Sequence, residues 1–393
     1  MSQAAVATTE EPQVDEAQEP LADLLKRSIN VPLGFSGPEL NEILQQLEEL
    51  EGFDDLYIST DMRMIVKLHG HLYPIGKAPL SYADVEMIIN FIYGDNGAAE
   101  VYRGNEIDTS HDFQASRKVS YRYRVNAVGI RSKSSTKGIQ ITMRSIKSDP
   151  MHIEDLGVEN EVKENIRPRQ GLVLVVGETG SGKSTLLSSV VRSILEDPEE
   201  NRVILTYEAP IEYVYDSVES HGSIVIQSEI PRHVKSFAAG VRNALRRSPE
   251  IILIGEARDR ETVEAAIRAA STGHLVYSTV HANSVAETLR RVTGEFPEGS
   301  RESRMKELVS NMRMVVAQYL ARGAHGGRVP IREYLTFNRE VREALSDGRI
   351  DTLISDVNQL VELHGLPMAR DAKDKLEQGL ITKETYDLVV SGI

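Results

Sequence analysis

The sequence predicts an α/β protein: a parallel sheet wrapped by helices in the C-terminal part, preceded by a smaller α+β domain. Three observations carry this expectation. From residue 171 onward, short apolar runs alternate with amphipathic stretches, the pattern of parallel strands buried on both faces between helices. Before residue 148, strand-like runs follow one another with few helices among them, as in an α+β unit. At 393 residues and 40% apolar content, the chain is long enough for two or three separate cores.

Residues 1–35 read as a disordered acidic tail, rich in Ala, Thr, Glu and Gln at its start. It carries no basic n-region and no apolar signal segment. The α+β domain is expected over 36–147. Ser36 and Glu39 have capping-box spacing, and Leu40, Ile43, Leu44, Leu47 and Leu50 follow at helical intervals. Strands are expected at 56–58 and 64–68, with Gly70 as a turn. A helix follows over 82–93, with Val85, Ile88, Ile89 and Ile92 on one stripe and Gly94 as its stop. Three more strands are expected at 107–113, 119–128 and 139–144.

Residues 148–170 are polar and Pro-bearing and read as a linker, leaving 171–393 as the second domain. There, strands are expected at 172–176, 203–207, 224–227, 251–254 and 276–279, and helices at 183–195, 237–247 and 260–271. From about residue 301 the pattern reads as mostly helical, broken at 323–327 and by a strand near 329–335. No internal repeat is visible.

Composition excludes several classes. A net charge of −14 argues against a general nucleic-acid-backbone binder. The absence of cysteine removes disulfides, thiol catalysis and cysteine-ligated zinc. No apolar run approaches the roughly 18–20 residues that span a bilayer. The expectation is a cytoplasmic protein that meets any membrane only through partners.

Gly177-Glu178-Thr179-Gly180-Ser181-Gly182-Lys183-Ser184 fits the phosphate-loop pattern G-x-x-x-x-G-K-S/T at every fixed position. A buried strand precedes it and a helix follows, which is the context the motif needs. Consecutive backbone N–H groups and the helix N-terminus would face the β- and γ-phosphates of ATP. Lys183 would reach the terminal phosphates, the Ser184 hydroxyl would ligate Mg²⁺, and Thr185 belongs to the same binding set.

Ligands of parallel α/β sheets sit beyond the carboxyl ends of strands, so the residues just past each strand are the candidates for chemistry. Glu208 and Glu212 follow the second strand, Glu256 the fourth and His281 the fifth. Hydrolysis needs a carboxylate to orient water, and which of Glu208, Glu212 and Glu256 serves stays open. His281 is placed to contact the γ-phosphate. His274 precedes its strand and is equally suited to capping the Gly273 turn.

Together, GETGSGKST, TYEAPIEYV, LIGEARD and STGHLVYSTVHANS resemble the Walker A, Asp box, Walker B and His box of the type II/IV secretion ATPases, the PilT-like group. The resemblance runs from about Asp54, in DDLYIS, to the C-terminus. It implies an ATP-hydrolysing homohexamer whose protomers pair a PAS-like N-terminal domain with a RecA-like P-loop domain. Ala209 stands where the Asp box usually has Asp, leaving Glu208 and Glu212 as its acids. The Walker B strand ends in Gly255-Glu256 rather than Asp-Glu, so direct contact of Glu256 with Mg²⁺ stays open. The stretch QSEIPRHVKSFAAGVRNALRR (227–247) is more similar to the branch that serves type IVB secretion and IncI-type conjugation (DotB, TraJ).

The expected strand at 119–128 alternates, with Tyr121, Tyr123 and Val125 on one face and Arg122, Arg124 and Asn126 on the other. A half-buried sheet with a solvated basic face explains this as well as function does. In the resembled family, arginines matching Arg124 and Arg144 reach the nucleotide from the N-terminal domain, and Arg122 is the third candidate. Arg242, Arg246 and Arg247 fall on an expected helix, with Arg242 and Arg246 at i, i+4. An inter-subunit surface, a pore lining and plain solvation all stay open for them.

The leading expectation is therefore a hexameric motor powering type IVB secretion or plasmid conjugation through inner-membrane apparatus components, with no direct nucleic-acid binding. The alternatives are a PilT-like pilus retraction ATPase, a nucleic-acid translocase, and a nucleotide-binding scaffold that turns over little ATP.

Overall fold

A computed structural model of the chain describes residues 29–32, 34–116, 119–133, 137–146, 149–346 and 349–391. The chain divides between residues 147 and 148 into two units, each built on its own sheet. Of the tail read over 1–35, residues 1–28 and 33 lie outside the described residues. Ile29 and Phe35 are buried in the first core, because these two apolar side chains find cover there.

The first unit comprises α1 (Glu39–Glu48), β1 (Phe53–Ser59), β2 (Met64–Leu68), β3 (His71–Ile75), α2 (Tyr82–Tyr93), α3 (Gly97–Tyr102), β4 (Ile107–Ser116), β5 (Val119–Ile130) and β6 (Gly138–Ile146). Its strands form an antiparallel sheet in the order β3-β2-β1-β6-β5-β4. Helix α1 buries Leu40, Ile43, Leu44 and Leu47, the stripe its spacing requires. Its last residue, Glu48, accepts hydrogen bonds from Tyr123 and Ser145, which ties the helix to β5 and β6.

The Ser36–Glu39 capping box does not form. Gly37 has φ of +120°, so α1 begins beyond it with Pro38 as N-cap and no side-chain cap. Ser36 instead donates to the Glu39 carboxylate from both N and Oγ. The unit's capping box lies at α2, where Ser81 and Asp84 bond reciprocally. Strand β3 was not foreseen beyond its Gly70 turn. It alternates, burying Tyr73 and Ile75, and tolerates Pro74 because it is an edge strand.

The second unit opens with a 3-10 turn (Ile153–Leu156) and α4 (Asn160–Asn165) in the segment read as a linker. Ile153, Val158, Val162 and Ile166 are buried in one core with α5, since the apolar residues between the polar ones fall on one side. There follow β7 (Gly171–Val176), α5 (Lys183–Leu195), β8 (Val203–Glu208), β9 (Ile224–Glu229), α6 (Phe237–Ala244), β10 (Ile251–Ile254), α7 (Arg260–Ser271), β11 (Leu275–Val280) and α8 (Val285–Gly294). The unit ends with α9 (Arg301–Asn311), β12 (Met312–Arg322), β13 (Arg328–Thr336), α10 (Arg339–Ser346), α11 (Leu353–His364), β14 (Gly365–Leu366), α12 (Met368–Glu377) and α13 (Lys383–Val390).

The sheet order is β14-β13-β12-β7-β11-β10-β8-β9, parallel from β12 to β9 and antiparallel at β13 and β14. Strands β7 and β11 are buried at every residue. Along β7, Leu172, Leu174 and Val176 face a core with α7 and α8, while Val173 and Val175 face α5. Each such aliphatic side chain contributes about 1.5–3 kcal/mol of burial.

Strand β12 corrects the helical reading of the C-terminal part. Its apolar run Met314–Ala317 pairs with β7 on one side and β13 on the other. A short run buried on both faces looks the same in sequence as a buried helix, and pairing decides between them. Helix α6 ends at Ala244, three residues earlier than expected, so Arg246 and Arg247 lie beyond it. Arg246 folds back to donate to the Arg242 carbonyl. Arg242 and Arg246 still share one groove between α6 and α7, together with Arg268.

Candidate functional site

The phosphate loop leaves the carboxyl end of β7. Gly177 (φ +150°) is required by space, because a Cβ there would stand 2.3 Å from the Gln318 carbonyl oxygen. Gly182 (φ +83°) is the left-handed N-cap of α5, and a Cβ on it would meet Gln318 Nε2 at 2.8 Å. Glu178, Thr179 and Gly180 are exposed at the loop tip. The buried Ser181 hydroxyl has no hydrogen-bond partner among the described residues.

Lys183 is 8% exposed and donates to the carbonyls of Gly177 at 2.9 Å and Glu178 at 2.7 Å. Burial pushes this ammonium below the usual lysine range, while the carboxylates of Glu256, Glu212 and Glu178, in that order, hold it up. Ser184 and Thr185 are half-buried on the first turn of α5. The Thr185 hydroxyl is hydrogen-bonded to the Tyr213 hydroxyl at 2.8 Å.

His281 follows Val280, whose carbonyl accepts the Gly177 N–H, so it emerges beside the first glycine of the loop. Its Nε2 lies 3.5 Å from Glu256 Oε1. Glu256, His281 and Arg291 line a cleft of about 40 Å³, room for a water molecule between polar partners. Glu208 is turned back on the sheet, where it accepts from Thr206 at 2.6 Å and Gln227 at 3.1 Å. Gln227 also donates to the Tyr213 carbonyl, so one amide fixes both the end of β8 and the loop bearing Glu212. Lys183, Glu212, Glu256 and His281 thus gather at one end of the sheet, with Glu208 behind them.

His274 lies elsewhere. It precedes β11, and its carbonyl accepts from Gly171 at the start of β7. A six-residue strand, roughly 20 Å long, separates it from the loop. Its Nδ1 meets Thr272 Oγ1 and the Ala269 carbonyl, a capping role at the end of α7.

The three arginines belong to the first unit. Arg124 and Arg144 stand directly opposite each other on β5 and β6. Arg124 pairs with Asp108 at 2.8 Å, and Arg144 with Asp55 at 2.7 Å. Burial would raise Asp55, but the Arg144 bond and charge, with Tyr57 and Lys67, outweigh it and hold the acid below its ordinary range. Arg122 is 8% exposed, so most of its length is covered despite its place on the polar face.

The arrangement fits a nucleoside triphosphate. It offers a glycine-built cradle with an orphaned hydroxyl, a buried ammonium spanning two loop carbonyls, and carboxylates on neighbouring strand tips. Among the described residues, no three His, Asp or Glu cluster to hold a metal ion unaided. Ser184, half-buried on the first turn of α5, is the hydroxyl beside the loop that would ligate Mg²⁺. Tyr213, Gln227 and Arg291 were missed in the sequence. Gln227 lies within β9, directly after its last apolar residue, Ile226.

Residues 114–329 match the family described as type II/IV secretion system protein. The type IV pilus ATPase PilT of Pseudomonas aeruginosa is 32% identical over 334 residues, 85% of this chain and 93% of PilT. The X-ray structure of the Legionella pneumophila ATPase DotB superposes with a TM-score of 0.87 at 40% identity, covering 93% of this chain and 98% of DotB. The pilus retraction motor PilT with bound ADP superposes with a TM-score of 0.75 at 30% identity, covering 88% and 96%.

Proposed function

The chain belongs to the type II/IV secretion ATPase family, and we propose that it is a homohexameric motor whose ATP hydrolysis drives type IVB secretion or plasmid conjugation. The observation that carries the reading is the gathering of Lys183, Glu212, Glu256 and His281 around one glycine cradle. In this mechanism the N–H groups of residues 178–184 and Lys183 bind the phosphates, with Lys183 exchanging its two loop carbonyls for phosphate oxygens. Bound Mg²⁺ would neutralise charge on the β- and γ-oxygens, with the Ser184 hydroxyl as its ligand from this chain. Glu256 orients water in the cleft it shares with His281, and Glu212 adds negative potential beside the loop. Glu208 and Gln227 position this set. Arg124 and Arg144, with Arg122 behind them, would neutralise developing phosphoryl charge when they give up their aspartates.

The branch assignment rests on the higher identity and better superposition with DotB than with ADP-bound PilT. Pilus retraction is the second reading, favoured by the 32% identity to PilT across most of both chains. The motor works at the cytoplasmic face of the inner membrane through partner proteins. Among the described residues, no helix is long and apolar enough to cross a membrane.

Two experiments test this. Glu256→Gln should lower turnover roughly 100-fold or more while nucleotide stays bound. A scaffold would keep its biological output in that variant, which would overturn the motor. Deletion in the native host, scored for conjugative transfer, effector export and twitching, separates the branches: loss of twitching alone would replace type IVB transport with retraction.

A further inference from the structure

Beneath the phosphate loop runs a buried chain of polar groups that the hydrolytic set does not use. Gln318, in β12 and 5% exposed, closes on the loop with both backbone and side chain. Its carbonyl occupies the space a side chain on Gly177 would need, and its Nε2 donates to the Ser181 carbonyl at 2.6 Å. Its Oε1 accepts from Arg332 Nε at 2.7 Å.

Arg332, 1% exposed on β13, spends its remaining donors on a strap of chain 173–176 residues earlier. Nη2 reaches the Leu156 carbonyl at 3.0 Å, and Nη1 reaches the Gly157 carbonyl at 2.9 Å and the Glu159 carboxylate at 3.2 Å. The Arg332 backbone N–H donates to Asp371 on α12 at 2.7 Å. Lys375, one turn further along α12, holds Asp371 at 2.5 Å and reaches Glu159 at 3.4 Å.

Two cations and two carboxylates therefore balance inside the protein, and the chain of bonds ends on the peptide that precedes Gly182. Buried ion pairs contribute little stability over well-packed apolar residues of the same volume, so stability alone is a weak reason for this cluster. What an apolar core cannot do is grip a carbonyl and orient its peptide. The Ser181–Gly182 peptide lies in the loop whose N–H groups must point at phosphate, at the left-handed turn that starts α5.

We infer that Gln318 and Arg332 are positioning residues that hold the Ser181–Gly182 peptide in its phosphate-receiving turn, anchored on α12 through Asp371 and on the strap at residues 156–159. The inference rests on the nucleotide site proposed above. It makes α12, far along the chain from the loop, a determinant of nucleotide affinity.

The test uses the full-length protein and compares Gln318→Met, of similar size without the amide, with Gln318→Glu, which keeps the acceptor for Arg332 but loses the donor to Ser181. In both, the ATP KM and the dissociation constant for a fluorescent ADP analogue should rise roughly tenfold, the worth of one lost hydrogen bond to the loop. The maximal rate should fall less than about threefold, and amide exchange across residues 177–184 should quicken in the unliganded protein. Asp371→Asn should raise KM about threefold, and that increment should vanish in the Gln318→Met background. A merely structural role would lower the melting temperature and leave the Asp371 and Gln318 effects additive, which overturns the relay. Unchanged KM and unchanged loop exchange in either folded Gln318 variant overturn it too. Wild-type protein that binds no nucleotide would instead refute the site beneath it.

Discussion

The two sheets of this protein carry their candidate functional charges in different places. In the second unit, Glu208, Glu256 and His281 lie at or just beyond the ends of β8, β10 and β11, while the strand interiors hold apolar side chains on both faces. In the first unit, Arg124 and Arg144 sit in mid-sheet, directly opposite each other on a face open to solvent. A parallel sheet covered by helices on both sides has no free face, so its chemistry is confined to strand ends. An antiparallel sheet with one open face can carry charge along the strands. Like charges placed opposite each other repel, and here Asp55 and Asp108 on the flanking strands offset that repulsion. In the second unit Glu256 and Glu212 thus lie near Lys183 of the loop, with His281 beside Glu256 and Glu208 turned back on the sheet. The arginines are held by local acids within their own sheet.

The comparison breaks first at Lys183. Lys183→Ala should reduce ATP turnover by roughly 10²–10³-fold, as for loss of a preorganised charge contact in the transition state. Phosphate release by the folded variant measures this, and wild-type rates would remove the strand-end cradle from the account.

Next in size are the face arginines. Arg124→Ala and Arg144→Ala should each slow hydrolysis at saturating ATP by at least about tenfold if they serve as fingers. Asp108→Asn removes the charge pairing Arg124 and should not slow hydrolysis. The exposed Arg124–Asp108 pair contributes about 0–1 kcal/mol, so melting temperature should barely move for either partner. Wild-type turnover in Arg124→Ala would leave that arginine with sheet charge balance as its only role.

The smallest effect concerns Asp55 and pH. Its folded-state acidity is held below the ordinary value of 3.8, so its stabilising contribution is full above about pH 4 and fades as pH falls through the depressed folded value. Asp55→Asn should cost about 1–3 kcal/mol at pH 7, and the gap to wild type should narrow below pH 4. Thermal melts of the two proteins at pH 7 and pH 3 check the sign. A gap that widens in acid would mean Asp55 is not held as an anion by Arg144.

The strand-end logic was legible because each motif directly follows its own apolar strand run, whereas the order of the strands in the sheet, β7-β11-β10-β8, is not their order along the chain. His274 reads in the sequence as preceding its strand, and in the structure it caps the end of α7 at the opposite end of β11 from His281. The Ser36 capping box failed because Gly37, at φ of +120°, lies outside the helical region that the residue after an N-cap must adopt. The linker reading failed because covering Ile153 and Val162 depends on α5, which lies well downstream.

Contiguous residues determined the alternation of strands and helices in the second unit, the phosphate loop and the acids at neighbouring strand tips, because periodicity and turn chemistry act over a few residues. Only the tertiary structure made residues 312–322 a strand between β7 and β13, set Gln318 under the loop, and joined Arg332 to a carbonyl 176 residues away. Those choices depend on which distant groups can satisfy a buried amide or guanidinium, and no local pattern encodes a partner that far along the chain.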